Sequence, residues 1–463
     1  MCRVGGRGAP PAVARCGNRT RKPNSESTRF RRVASNVAGR RRALRHDHAM
    51  RVGLRWFLLF TLAWLALWTV QLTPLQLLIP LQLDTPDDAD GWVSGVVWSG
   101  LILAVGGLAG VVAAPVAGGL SDRTRGGFGR RRPWALGGTV LAAVSLVGIA
   151  TAEGPWAVGL AWIGVSVGTA VASAAFTALI ADQLTDQRGT ASAVVSSSQA
   201  LGIVLGVGAI VVFGLSVAAG YWLLAGFLVV AGAAAALLLP DPPEQAASQR
   251  ARSPRRLGER LAALRDRDFA WLLAGRLIVN IGNALGTGLL LFFLLYGLGL
   301  DAQSAEEDLL LLIVVYTVFV VVSSIVAGAV SDRTGRRRGI VLWAAIVQGG
   351  AALLLAAVPS LPMAFVAAAL LGVGYGAYMA VGLALGTDLL PHPDDHARDL
   401  GFVNVSASLG QLLGPLVGAG LVAAVGGFAL MFAVGGVLSI VGGVMTLAIR
   451  PRAVSADPSP APA

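Results

Sequence analysis

The sequence predicts an all-α membrane protein whose twelve transmembrane helices form two six-helix repeats. Three observations carry that expectation. The chain is too apolar for water: of 463 residues, 55% are hydrophobic and 13% charged, with a mean hydropathy of +0.71. Soluble domains carry about a quarter charged residues. Its apolar residues gather into twelve runs, each about long enough for a helix to cross a bilayer core, which takes about 20 residues. A polar motif between the second and third runs returns between the eighth and ninth. The 60 glycines, with no collagen-like period, suit membrane helices whose backbones approach closely.

The runs lie at 56–79, 92–120, 133–152, 156–181, 190–214 and 217–240, then 269–299, 309–330, 339–358, 362–390, 399–424 and 427–449. These give a first bundle over 51–240, a polar cytoplasmic linker over 241–268, and a second bundle over 269–450. Disordered tails are expected at 1–50 and 451–463. The first tail holds 13 Lys+Arg against Glu26 and Asp47, which accounts for the whole net charge of +11. The remainder balances at 23 basic and 23 acidic groups, so nucleic acid has no basic surface to bind outside the tail. That tail also contains Cys2, Cys16 and the only lysine, Lys22. It has two readings: a basic arm touching anionic lipid, or a segment preceding a start at Met50.

Orientation follows the arginines. Loops after even-numbered spans hold 18 of them and loops after odd-numbered spans none. The latter carry acids instead: Asp84, Asp87, Asp88 and Asp90, then Glu153, then Asp301, Glu306, Glu307 and Asp308. The positive-inside rule puts the basic loops and both termini in the cytoplasm, and the expected location is the cell (plasma) membrane. Trp56 and Trp92 read as anchors at the membrane interface.

The repeat is specific. VVAAPVAGGLSDRT from Val111 and VVSSIVAGAVSDRT from Val321 share Val-Ala-Gly and Ser-Asp-Arg-Thr at an offset of 210. The triplets Arg130–Arg132 and Arg336–Arg338 match at 206, because the first loop has four extra residues. The 206 offset persists to Asp182 and Asp388, and 210 returns at Arg188 and Arg398. The physical reading is two homologous bundles about an axis along the membrane normal, with a cavity between them near the midplane.

Gly118 to Thr124 followed by Gly129-Arg130-Arg131, with its copy Gly328 to Arg337, resembles the loop signature of the major facilitator superfamily. The resemblance covers 51–450 and implies the major facilitator fold and a secondary transporter working by alternating access. The insertion in SDRTRGGFGRRRPW makes this loop look more like sugar–cation and plant-type sucrose symporters than drug-efflux members. That implies a neutral sugar-like solute with proton or sodium coupling; multidrug or metabolite efflux is the alternative. In the superfamily this loop is thought to latch the cytoplasmic side shut. The role passes to the matching residues Asp122, Arg123, Arg130, Arg131, Asp332, Arg333 and Arg336. An anion at a helix C-terminus is disfavoured by the dipole, so both aspartates need compensation. The bland alternative is a set of exposed topology charges, each pair worth about 0–1 kcal/mol.

Candidate solute contacts follow from polar residues inside spans. Arg276, Asn280, Asn283 and Thr287 are spaced by 4, 3 and 4, so they share one helix face. Such groups normally look into a bundle or a watery path. Arg276 lies about 10 Å into its span and has a rival reading, snorkelling to the interface. In the first span, Trp64, Trp68 and Gln71 share a face, with Gln76 beyond them. Aromatic faces and amides suit a polyhydroxylated solute, and they equally suit helix packing. Tyr316, Tyr375 and Tyr378 add hydroxyls, while Ser196–Ser198, Ser406, Ser408, Gln199 and Gln411 read first as packing residues. No carboxylate lies mid-span, which leaves two readings: a facilitator without coupling, or coupling through Arg276 or the terminal Asp84, Asp182 and Asp388.

Rival classes find less support. A membrane-embedded enzyme needs clustered His, Cys, Asp or Glu, and the nearest case, His392 and His396, is interrupted by Pro393. No catalytic residue, metal or cofactor is expected. A non-transporting sensor would need a folded soluble domain, which neither tail supplies. The expected partners are a small solute and the lipid bilayer.

Overall fold

The computed structural model describes residues 53–84, 91–124, 128–184, 187–241, 266–389 and 396–450, and its regular structure is helical, with no strand among the described residues. Among the described residues, twelve helices are long and apolar enough to cross a membrane. They are α1 (Leu54–Leu83), α2 (Gly91–Arg123), α3 (Arg132–Ala150), α4 (Gly154–Gln183), α5 (Arg188–Val212) and α6 (Val217–Leu238) in the first half. The second half has α7 (Arg267–Gly288), α8 (Ala302–Thr334), α9 (Arg337–Ala357), α10 (Leu361–Asp388), α11 (His396–Val425) and α12 (Ala429–Met445). The tails, most of the linker, His392, and the side chains of Arg188, Asp388, His396 and Arg398 lie outside the described residues.

Two helices depart from simple runs, and each departure has a local cause. Pro74 has no N–H to give the preceding turn, so α1 widens into a π turn over Pro74–Leu78, closed by Ile79 N–H donating to Pro74 O. After Gly288, α7 breaks at Leu289, and a π turn over Phe293–Gly297 follows. The acids after the seventh span are also placed differently from expectation. Asp301 caps α8, accepting from Ser304 N at 3.1 Å, and Glu306, Glu307 and Asp308 lie in its first turns. An N-terminal helix dipole favours acids there, so hydropathy alone started this helix too late.

The same packing plan occurs twice. In the first half α4 packs on α2 and α3, α6 on α3 and α1, and α5 on α1; in the second half α10 packs on α8 and α9, α12 on α9 and α7, and α11 on α7. Glycines set the closest approaches. A Cβ on Gly168 would meet Ala142 N at 2.5 Å and Gly138 O at 2.7 Å; on Gly374, 206 residues later, it would meet Ala344 O at 2.6 Å and Gln348 N at 2.7 Å. Without water as a driving force, such backbone proximity is what holds membrane helices together.

The halves meet along α2 with α11 and α5 with α8. Gly100 lets α2 against α11, where an added Cβ would lie 2.7 Å from Pro415 O and 2.5 Å from Ala419 Cβ. At the acidic-loop end, Trp92 stacks on Tyr296 at 5.1 Å and on Phe428 at 5.6 Å, and Tyr296 Oη donates to Asp84 at 2.5 Å. Toward the basic-loop end burial falls away. From Leu108 to Leu120 of α2 only Ala117 is buried, and from Val314 to Val330 of α8 no residue is. The halves pack closely at the acidic end, and the seam between them reads as a cleft whose burial falls away toward the basic end.

Candidate functional site

The polar face of α7 is buried where the second half comes together. Asn280 is fully buried; its Nδ2 donates to Arg276 O at 2.8 Å, leaving Oδ1 to accept from Tyr375 Oη of α10 at 3.4 Å. Asn283, also buried, accepts from Tyr316 Oη of α8 at 3.5 Å. The two tyrosine rings stack with centroids 6.3 Å apart. Gln411 of α11 donates to Tyr375 Oη at 3.4 Å. Its exposed side chain stands beside Leu412, which faces Gly107 of α2 across the seam. Four helices of the second half thus supply a chain of amides and phenols that reaches the cleft.

Arg276 does not snorkel. It is 3% exposed, with Nη2 3.5 Å from Met379 Sδ and Nη1 alongside Gly382. Its backbone carbonyl accepts from Asn280 Nδ2 one helical turn on, and its side chain turns into the bundle against α10. Tyr378 is buried next to the same glycine.

No hydrogen bond or ring contact among the described residues joins the first-span candidates to this cluster, although the π turn that carries Gln76 packs against α7. Trp56, Phe60, Trp64 and Trp68 form a ladder up one face of α1, with successive centroids 4.7, 6.2 and 6.3 Å apart. Trp68 packs against Gly202 of α5, while Gln71 is exposed and Gln76 half-buried in the π turn. Trp56 is no interface anchor: it is buried and donates from Nε1 to Gln183 Oε1 at 2.7 Å. Trp92 is half-buried and stacks in the acidic-end seam.

At the basic end the motif builds a node inside the first half. Arg131 is 6% exposed. Its Nη2 lies 2.6 Å from Asp122 Oδ1, its Nε 3.0 Å from Asp182 Oδ2, and its Nη1 2.5 Å from Ser121 Oγ. Arg130 joins Asp182 at 2.7 Å. That hydrogen bond and charge hold the Arg130 pKa above its ordinary value. Asp241 accepts from the backbone N–H of Arg131 and Arg132 at 2.7 and 2.8 Å, and Arg132 caps the end of α6 through Ala236 O and Leu239 O. Gly129, at φ 101°, leaves the space Asp241 fills; a Cβ there would collide with the Asp241 carboxylate. Gln183 donates to Pro240 O. Asp241, read from sequence as the first linker residue, is therefore a member of this node.

The copy in the second half is looser. Asp332 is 76% exposed and sits 3.9 Å from Arg337 Nη2, while Arg337 Nη1 donates to Ala384 O at 3.0 Å. Arg123, Arg333 and Arg336 are exposed. No ion pair among the described residues joins the halves at this end, so the motif ties helices within each half. Of the coupling candidates, Asp182 is engaged by Arg130 and Arg131, and Asp84 bridges the halves through Tyr296. Sequence reasoning passed over Asp241, Gln183 and Tyr296. The only signal for the first was the Asp-Pro-Pro boundary, and Tyr296 stood unremarked in an apolar run.

A family model described as Major Facilitator Superfamily matches residues 99–306 and again 277–463. Curated proteins give no significant match. Among solved structures, a point mutant of the nucleoside transporter NupG superposes with a TM-score of 0.67 at 13% identity, over 85% of this chain and 98% of that one. A POT family transporter in complex with a thioalcohol-conjugated peptide superposes with a TM-score of 0.65 at 12% identity, over 85% and 95%. At these identities the likeness speaks for the fold.

Proposed function

The chain belongs to the major facilitator superfamily, and from that premise we propose that it is a secondary transporter carrying a small sugar-like solute by alternating access. The basic loops and both termini face the cytoplasm of a cell membrane in this reading, so the cleft described above is inward-facing. One observation carries the proposal: the chain of Asn280, Tyr375 and Gln411 ends at a seam that is closed on one side of the membrane and open on the other. Phenols and amides donate and accept hydrogen bonds without charge, which fits hydroxyl groups. Proton or sodium coupling has its seat at Asp84, because that carboxylate is held by the opposite half and its bond to Tyr296 must break for the acidic end to open.

The test locks the seam. A Cβ built on Gly107 lies 3.3 Å from Leu412 Cβ, near the separation of a disulfide, about 3.5–4.5 Å. In a background without Cys2 and Cys16, Gly107→Cys with Leu412→Cys should abolish uptake of labelled sugars into proteoliposomes when oxidised and restore it when reduced. Undiminished uptake by the cross-linked protein would refute alternating access at this seam.

A further inference from the structure

We infer that Arg276, with Tyr375, Tyr378 and the space beside Gly382, forms a subsite for a carboxylate on the transported solute. The inference deepens the transport reading and rests on it for the word solute. Its ground is an unanswered charge. Arg276 is 3% exposed, and its Nε and Nη1 have no hydrogen-bond partner. The remaining nitrogen meets only a thioether, a weak acceptor. No carboxylate forms an ion pair with it among the described residues. A guanidinium cannot discharge by losing its proton, so burying it without a counter-ion costs several kcal/mol. In a membrane interior such a residue marks a site.

The surroundings are shaped for an incoming anion. Gly382 faces the guanidinium with no side chain; a Cβ there would lie 3.4 Å from Nη1 and 4.0 Å from Tyr378 Cε1. Tyr375 Oη is already placed between Asn280 and the exposed Gln411. It can follow a ligand from the cleft. A planar fork with unsatisfied N–H groups matches the two oxygens of a carboxylate, and the amides and phenols around it match hydroxyls. The combination describes a hydroxylated organic acid, a finer class than the neutral sugar expected from the loop alone.

The test begins with the solute-free protein, in detergent at constant ionic strength. Arg276→Met should raise the melting temperature, because it removes an unpaired buried charge; a fall would overturn the subsite by showing a structural arginine. Sodium acetate, the smallest carboxylate probe, should raise the melting temperature of the wild type and not of Arg276→Met. Gly382→Val keeps the charge and fills the space, and should also lose the acetate effect. A wild type indifferent to acetate, or stabilised equally by sodium chloride or more by sodium phosphate, would overturn the assignment to a carboxylate. For glucuronate against glucose, the wild type should bind the acid and Arg276→Gln should weaken that binding about 10- to 100-fold, the scale of hydrogen bonds to a charged group. Binding of glucose alone would overturn the carboxylate while leaving transport intact. An acetate response that depends on Arg276, in a protein carrying neither sugar into proteoliposomes, would instead sink the transport reading and keep the anion site.

Discussion

The two halves are built to one packing plan and differ in where they bury an arginine. In the first half it is Arg131, at the basic end, surrounded by Asp122, Asp182 and Ser121. In the second it is Arg276, inside the membrane, with no carboxylate partner among the described residues. The counterpart of Arg131, Arg337, is more exposed, and its distance to Asp332 is 3.9 Å against 2.6 Å for the first pair. A duplicated scaffold has thus been given unequal duties. One copy spends its buried charge on fixing helix ends, whereas the other buries it with two guanidinium nitrogens unpartnered.

The shared plan and the unequal charges make separate predictions. The largest effect should be symmetrical. Gly168→Val and Gly374→Val each force a Cβ within 2.5–2.7 Å of backbone atoms, and each should cost about 3 kcal/mol or more. Fluorescence-detected gel filtration should show both variants aggregated; tolerance of either would break the equivalence of the α3–α4 and α9–α10 pairs.

The charge substitutions should be asymmetrical. Asp182→Asn loses bonds from two arginines and should cost about 2 kcal/mol, a typical value for hydrogen bonds to charged groups. Asp122→Asn removes one of Arg131's partners and should cost about 1 kcal/mol. Asp332→Asn, at an exposed pair, should cost about 0–0.5 kcal/mol. Thermal melts of the three purified variants give the order, and an equal cost at Asp122 and Asp332 would erase the contrast.

The narrowest comparison concerns solute chemistry. Tyr375→Phe should weaken solute binding about fivefold, roughly 1 kcal/mol, with the melting temperature nearly unchanged. Its first-half counterpart is Thr169, whose hydroxyl bonds back to Val165 O at 2.9 Å and Ser166 O at 3.1 Å within its own helix. Thr169→Val should leave affinity alone. A matching loss at Thr169 would show that both halves bind.

Much of the architecture was legible because hydropathy is a local signal and twelve apolar runs return as twelve long helices among the described residues. The α7 face was legible too, since spacings of 4, 3 and 4 decide which side chains share a side of a helix. What sequence could not supply was the far partner of each group. Asn280 and Tyr375 are 95 positions apart, and Arg131 and Asp241 are 110 apart; nothing in either neighbourhood names the other. Trp68 and Gln71 show the opposite difficulty. An aromatic face with an amide reads alike whether it lines a cleft or packs on a neighbouring helix, and the structure places Trp68 against α5. The π turns escaped notice because Pro74 marks a break without saying how the ladder is repaired, and α7 breaks with no proline at all.

The node around Arg131 has a consequence for how the protein is manufactured. Its members Trp56, Ser121, Asp122, Arg130, Arg131, Arg132, Asp182, Gln183, Pro240 and Asp241 have all been synthesised by position 241. The first six helices can therefore neutralise their own basic end while the ribosome is still building the rest, with Asp241 as the last part delivered. A nascent chain halted beyond Asp241 already contains every partner needed to bury Arg131. The second half has no such early closure: Asp268, near the start of α7, accepts from the backbone N–H of Arg450, the last described residue. One half can be finished in passing, whereas the other waits for Arg450.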